Sequence, residues 1–98
     1  MVKLNISFKD ILKKHIIMRG LFKTNHNSKY SLDQIIDVIE YILITGASWR
    51  SLDLSIFNLV NIKWQSIYYH FNKFSDNKVF ENVYKYLLNI SKLINLAN

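Results

Sequence analysis

The stretch "SLDQIIDVIEYILITG", residues 31–46, admits one regular structure. Leu32, Ile35, Ile36, Ile39, Ile42 and Leu43 recur at the helical period and form one apolar stripe. Isoleucine also suits strands, but strict alternation would bury Asp33 and Asp37 together with the isoleucines. Ser31 is placed to cap the N-terminus, Asp33 suits its positive end, and Thr45–Gly46 ends the run. Such a helix needs other apolar faces to cover it, and the chain can supply only helical ones. It has no proline and two glycines, Gly20 and Gly46, so long helices meet little opposition.

Those other faces are readable. Ser7 opens a capping box, "SFKD", and Phe8, Ile11, Leu12 and Ile16 mark the inner side of a helix that Gly20 stops. Lys9, Lys13 and Lys14 mark its outer side. The polar segment "KTNHNSKY", 23–30, reads as a loop. Ser48 can cap one helical turn, "WRSLD", with Trp49 and Leu52 inward. Residues 54–61 are apolar without a period and read as a mostly buried connection. Asn61 is placed to cap the next helix, "KWQSIYYHFNKF", which "SDN" at 75–77 breaks. A last helix runs from about Lys78 into the nineties on Val79, Phe80, Val83, Leu87, Ile90 and Ile94. The expected fold is all-α, a small helix-turn-helix-like domain of about five helices. Residues 1–28 form a basic N-terminal helix and loop, and 29–98 the globular unit.

At 98 residues there is room for one modest core. No cysteine is present, which excludes disulfides and thiolate metal sites. Charges interrupt every apolar run before it could span a bilayer, and "MVKLNISFKDILKK" lacks the apolar middle of a signal peptide. No membrane partner is therefore expected, and the protein is expected to be intracellular: cytoplasm or nucleoid, or the nucleus if it is viral or eukaryotic. The formal charge of +6 is unevenly spread. Seven Lys or Arg face one Asp in residues 1–30, one Arg faces four acids in 31–62, and five Lys face two acids in 63–98. Basic ends flanking an acidic middle suit a polyanion, nucleic acid first. An AT-rich coding sequence also raises the Lys count, in step with Asn, Ile, Phe and Tyr.

Catalytic constellations are missing. Asp33, Asp37 and Glu40 share one helix face, but no glycine-rich or carbonyl-supplying loop joins them, so a solvated acidic face is the simpler reading. His15, His26 and His70 lie on different elements without ligand spacing. No nucleophile elbow or phosphate-cradling glycine loop occurs. No enzyme, metal, cofactor or small-molecule substrate is expected.

The segment 63–74 has the other kind of constellation. Trp64, Ile67, Phe71 and Phe74 make an apolar back, and Ser66, Tyr69, His70 and Lys73 a short, polar and cationic front. A short supporting helix followed by such a helix is the arrangement of a helix-turn-helix, whose front enters the major groove. Lys63, Gln65, Ser66, Tyr69, His70 and Lys73 are the candidates for contact with double-stranded DNA, with Arg50 from the short helix. Arg50 could equally pair with Asp53 or Glu40. Lys13, Lys14 and Lys23 would add non-specific attraction.

These residues resemble a family. "YSLDQIIDVIEYILITGASWRSLD" with "WQSIYYHFNKFSDNKVFENVYKYL" is similar to the N-terminal domain of insertion-sequence transposases of the IS-five type, in the DDE class. Those domains read Tyr-Ser, a patterned helix, "L-x-T-G-x-x-W-R-x-L", a variable loop, then "W-x-(S/T)-(I/V)-Y-x-x-F-x-x-(W/F)" and a closing helix with an aromatic before Glu. The matching positions are Tyr30–Ser31, Leu43, Thr45–Gly46, Trp49–Arg50, Leu52, Trp64, Ser66–Ile67–Tyr68, Phe71, Phe74 and Phe80–Glu81, covering 29–88. The resemblance implies a helix-turn-helix domain that binds transposon ends. The family's RNase-H-like catalytic domain, with its three widely separated acids, has no counterpart within residues 1–98, and Asp33, Asp37 and Glu40 on one helix cannot replace it. The family's basic segment before Tyr-Ser is reduced to "KTNHNS", which argues against a minor-groove arm.

The expected function is that of a stand-alone DNA-binding regulator or competitor of a transposase. A second reading is a protein-interaction or homodimer module built on Leu87, Ile90 and Ile94, with Leu88, Leu93 and Leu96 widening the apolar surface. A third is a transposon remnant that folds without a role.

Overall fold

A computed structural model describes residues 7–23 and 29–97, with side chains described through Leu93. Expectations for the middle of the 23–30 loop, including His26, and for the side chains of Ile94 and Leu96 lie outside the described residues. Among those described, the chain is all-helical: α1 (Phe8–Met18), α2 (Leu32–Thr45), 3-10 turns at Trp49–Ser51 and Leu54–Phe57, α3 (Trp64–Asp76) and α4 (Val79–Ala97).

Local chemistry sets the helix ends. Ser7 Oγ accepts the Asp10 N–H, and α1 closes at Gly20, φ 66°. The Leu21 N–H reaches the Ile16 carbonyl and the Gly20 N–H that of Ile17, the paired bonds of a Schellman turn. Leu21 is thereby turned onto Ile16, and both are buried. α2 begins with a full capping box. Ser31 accepts the Gln34 N–H while Gln34 Oε1 accepts the Ser31 N–H at 2.9 Å. Gly46 ends it at φ 69°, with its N–H on the Ile42 carbonyl.

α2 packs between α1 and α3, and α4 closes the bundle against the same two helices. Leu32, Ile35, Ile36, Val38 and Ile39 are all buried, in one core with Leu12 and Ile16 of α1, Ile67 and Phe74 of α3, and Val79 and Val83 of α4. Among the described residues, no polar or charged one is buried in this core. Lys9 and Lys13 of α1 reach across to Asp37 (2.8 Å) and Asp33 (3.1 Å). Asp33 and Asp37 of the acidic α2 face, each about half exposed, thus border the seam to α1. No cluster of metal-ligating side chains occurs among the described residues. Nor is any described helix long and apolar enough to cross a membrane.

Two local expectations need correction. Residues 54–61 are not a mostly buried connection. Asp53 caps a second 3-10 turn through the Ser55 N–H; only Leu54 and Leu59 are buried, with Phe57 packed partly buried against the core. Ile56 and Val60 stand 59% and 72% exposed, because the tight turn and the left-handed Asn58 and Asn61 (φ 60° and 61°) swing them outward. Asn61 does not cap α3 either. Lys63 holds the N-cap position and makes no side-chain cap bond, while Asn61 is used in the left-handed turn before it.

Candidate nucleic-acid interface

The back of α3 is fixed before its front can be used. Ile67 and Phe74 are fully buried, and Trp64 and Phe71 pack partly buried against the core. Trp49, from the first 3-10 turn, stacks its edge on Tyr68 (5.3 Å) and tilts against Phe71 (5.5 Å). Phe71 in turn meets Phe80 of α4 at 5.4 Å. This aromatic cluster couples the short turn, α3 and α4, and it places Arg50 beside α3. Such ring pairs contribute about 0.5–1.5 kcal/mol each beyond the area they bury.

On the front, Lys63, Gln65, Ser66 and Tyr69 are exposed, and Lys73 is half-buried along its stem. Arg50 is exposed and forms no ion pair with Asp53 or Glu40. Asp53 is committed elsewhere: its Oδ1 accepts from the Ser55 N–H (3.0 Å) and hydroxyl (2.6 Å), bonds that hold its carboxyl below the usual range. All seven Asp and Glu side chains lie among the described residues, and none comes within ion-pair distance of Arg50, Lys63 or Lys73. Lys13, by contrast, is occupied by Asp33.

His70 departs from the other candidates. Its ring turns inward from the front, with Nε2 3.0 Å from the Tyr30 hydroxyl. The edge of Phe22 lies 5.4 Å away, and Phe74 stands behind. Nδ1 is buried with no partner. Burial, and then the neighbouring Lys73 charge, holds the imidazole below the usual histidine range. Burial likewise pushes the Tyr30 phenol up. The structure therefore leaves Lys63, Gln65, Ser66 and Tyr69 exposed on the front, with Arg50 on the neighbouring turn, turns His70 inward to a different neighbourhood, and sets Lys73 between the two.

That neighbourhood is what sequence reasoning missed. A cavity of about 410 Å³ opens between the end of α1, the start of α2 and α3, lined in part by Phe22, Lys23, Lys29, Tyr30, His70 and Lys73. One signal for it was present. Tyr30 precedes the Ser31 cap, the position whose side chain folds back over the first helical turn.

Comparison with family models, curated proteins and solved structures finds no match to the chain. The functional reading accordingly rests on the residues themselves.

Proposed function

We propose that this protein binds double-stranded DNA through the front of α3, acting as a regulator or as a competitor of a transposase. One observation carries the reading. An amphipathic helix locked into the core by Ile67 and Phe74 presents Lys63, Gln65, Ser66, Tyr69 and Lys73 outward, its cations without carboxylate partners. Such cations release counterions when they meet phosphates, and that supplies most sequence-independent affinity. Lys63, Lys73 and Arg50 contact phosphates. Gln65 and Ser66, near the N-terminus of α3, are of a size and chemistry to reach base edges in the major groove. Tyr69 adds a donor and an aromatic face beside them. A binding role of this kind needs no catalytic group, metal or cofactor, and it places the protein inside the cell with the DNA.

The test is the double variant Lys63→Ala/Lys73→Ala. Binding weakens across all duplexes, and the salt slope becomes shallower by up to about 2 units. An unchanged slope removes α3 from the interface.

One observation supports a second reading, self-association or partner binding through α4. Tyr84 and Leu88, one turn apart on one side of α4, stand 65% and 41% exposed. Sedimentation that gives a dimer dispersed by Tyr84→Glu/Leu88→Glu supports it. The two readings are compatible if the protein binds DNA as a dimer.

A further inference from the structure

The cavity at the foot of α1 is a second cationic site, built differently from the α3 front. Lys23 and Lys29 come from the two ends of the α1–α2 connection and Lys73 from α3, so residues far apart in sequence converge on one hollow. No carboxylate lines it, and none lies within ion-pair distance of these three lysines. A hollow edged by three lysines and lined by no carboxylate suits an anion. Phe22 and Tyr30 add aromatic surface to the walls, and the volume of about 410 Å³ falls within the ordinary range for small-ligand pockets.

The Tyr30–His70 pair supplies direction. A phenol has one proton to give. When His70 carries its proton on Nε2, that N–H donates to the Tyr30 oxygen, and the Tyr30 hydroxyl is left to donate to an acceptor in the cavity. The second edge-on aromatic, Phe22, holds the imidazole plane in place.

We propose that this cavity seats the phosphate group of a nucleotide, with Lys23, Lys29, Lys73 and the Tyr30 hydroxyl on the phosphate oxygens and Phe22 and Tyr30 against the nucleoside. The phosphate belongs either to a DNA strand or to a free mononucleotide. Lys73 serves both this site and the α3 front; otherwise the proposal stands apart from the duplex reading.

The test is an NMR titration of the full chain with inorganic phosphate, adenosine monophosphate, adenosine and a random 12-base-pair duplex. Inorganic phosphate and the monophosphate shift the Lys29, Tyr30 and His70 signals, and adenosine does not. Lys23→Gln/Lys29→Gln, at two exposed positions outside the core, keeps the folded spectrum and weakens monophosphate binding about tenfold or more. If the duplex displaces the monophosphate, the seat is for a DNA phosphate; if the monophosphate binds undisturbed, it is for a free nucleotide. Both outcomes uphold the site. No shift at about 10 mM monophosphate, ten times a millimolar Kd, overturns it, as does an equal response to adenosine. Duplex shifts confined to Lys63, Gln65 and Ser66 would then leave the α3 reading standing while this one fails.

Discussion

The Tyr30 hydroxyl lies 3.0 Å from His70 Nε2 and so ties the start of α2 to the middle of α3. The bond spans 40 positions and joins the acidic α2 to the cation-bearing α3. Removing the hydroxyl by Tyr30→Phe leaves a half-buried imidazole nitrogen without its partner. Chemical denaturation should show a loss of about 1–3 kcal/mol, the penalty for an unsatisfied buried polar group.

The same imidazole gives the fold an acid-side slope. His70 has its folded pKa lowered by burial, so the unfolded chain takes up a proton first. Its contribution is intact above the ordinary histidine value, near 6.5, and is lost as pH falls below it. Thermal melts from pH 7.5 to 5 should show a falling Tm, and His70→Phe should flatten that slope.

On the alkaline side, Lys9 and Tyr30 act in the opposite sense. The Lys9 pKa is raised chiefly by its hydrogen bond to Asp37, and that of Tyr30 by burial, so both hold protons longer in the folded chain. Stability should decline as pH rises above about 10. Because Lys9 and Asp37 are both partly exposed, Asp37→Asn should cost only about 0.5 kcal/mol at neutral pH.

Lys78 sits at φ 58° in the two-residue turn between α3 and α4. A side chain there is disfavoured where glycine is not. Lys78→Gly should raise stability by about 0.5–1 kcal/mol, read as a higher denaturant midpoint with an unchanged m-value.

α1 is integral to the core, because Ile16 is fully buried against α2 and α4 residues. Ile16→Ala should cost about 2–5 kcal/mol. Met18→Ala, two residues on but 75% exposed, should change stability by less than about 0.5 kcal/mol. Equal effects would contradict the packing described.

How far the sequence carried these findings depends on the range of the interaction. The caps at Ser7, Ser31, Gly20 and Gly46 were legible because each is decided within a few residues, and the first part of the α2 stripe because one period fits it; Leu43, read as part of that stripe, is 55% exposed, and Val38, outside it, is fully buried. The second 3-10 turn was not, since a four-residue element shows no period and the Asp53 cap has the same look as any turn aspartate. His70 lies at the boundary between the two faces of α3, and only Tyr30, brought near by the fold, settles that it turns inward. The pairing of Lys9 and Lys13 with Asp37 and Asp33 was hidden for the same reason. Arg50, left open between a carboxylate and DNA, is released from Asp53 by the Ser55 bonds.

The most direct test of the DNA-binding account is fluorescence anisotropy of the intact protein on a random-sequence duplex at about 50 and 200 mM salt. Contacts from Arg50, Lys63 and Lys73 predict binding at low salt that weakens roughly 40-fold at the higher concentration, for three phosphates neutralised. A folded protein that shows no binding at 50 mM salt would contradict the account and direct attention to the uncovered face of α4.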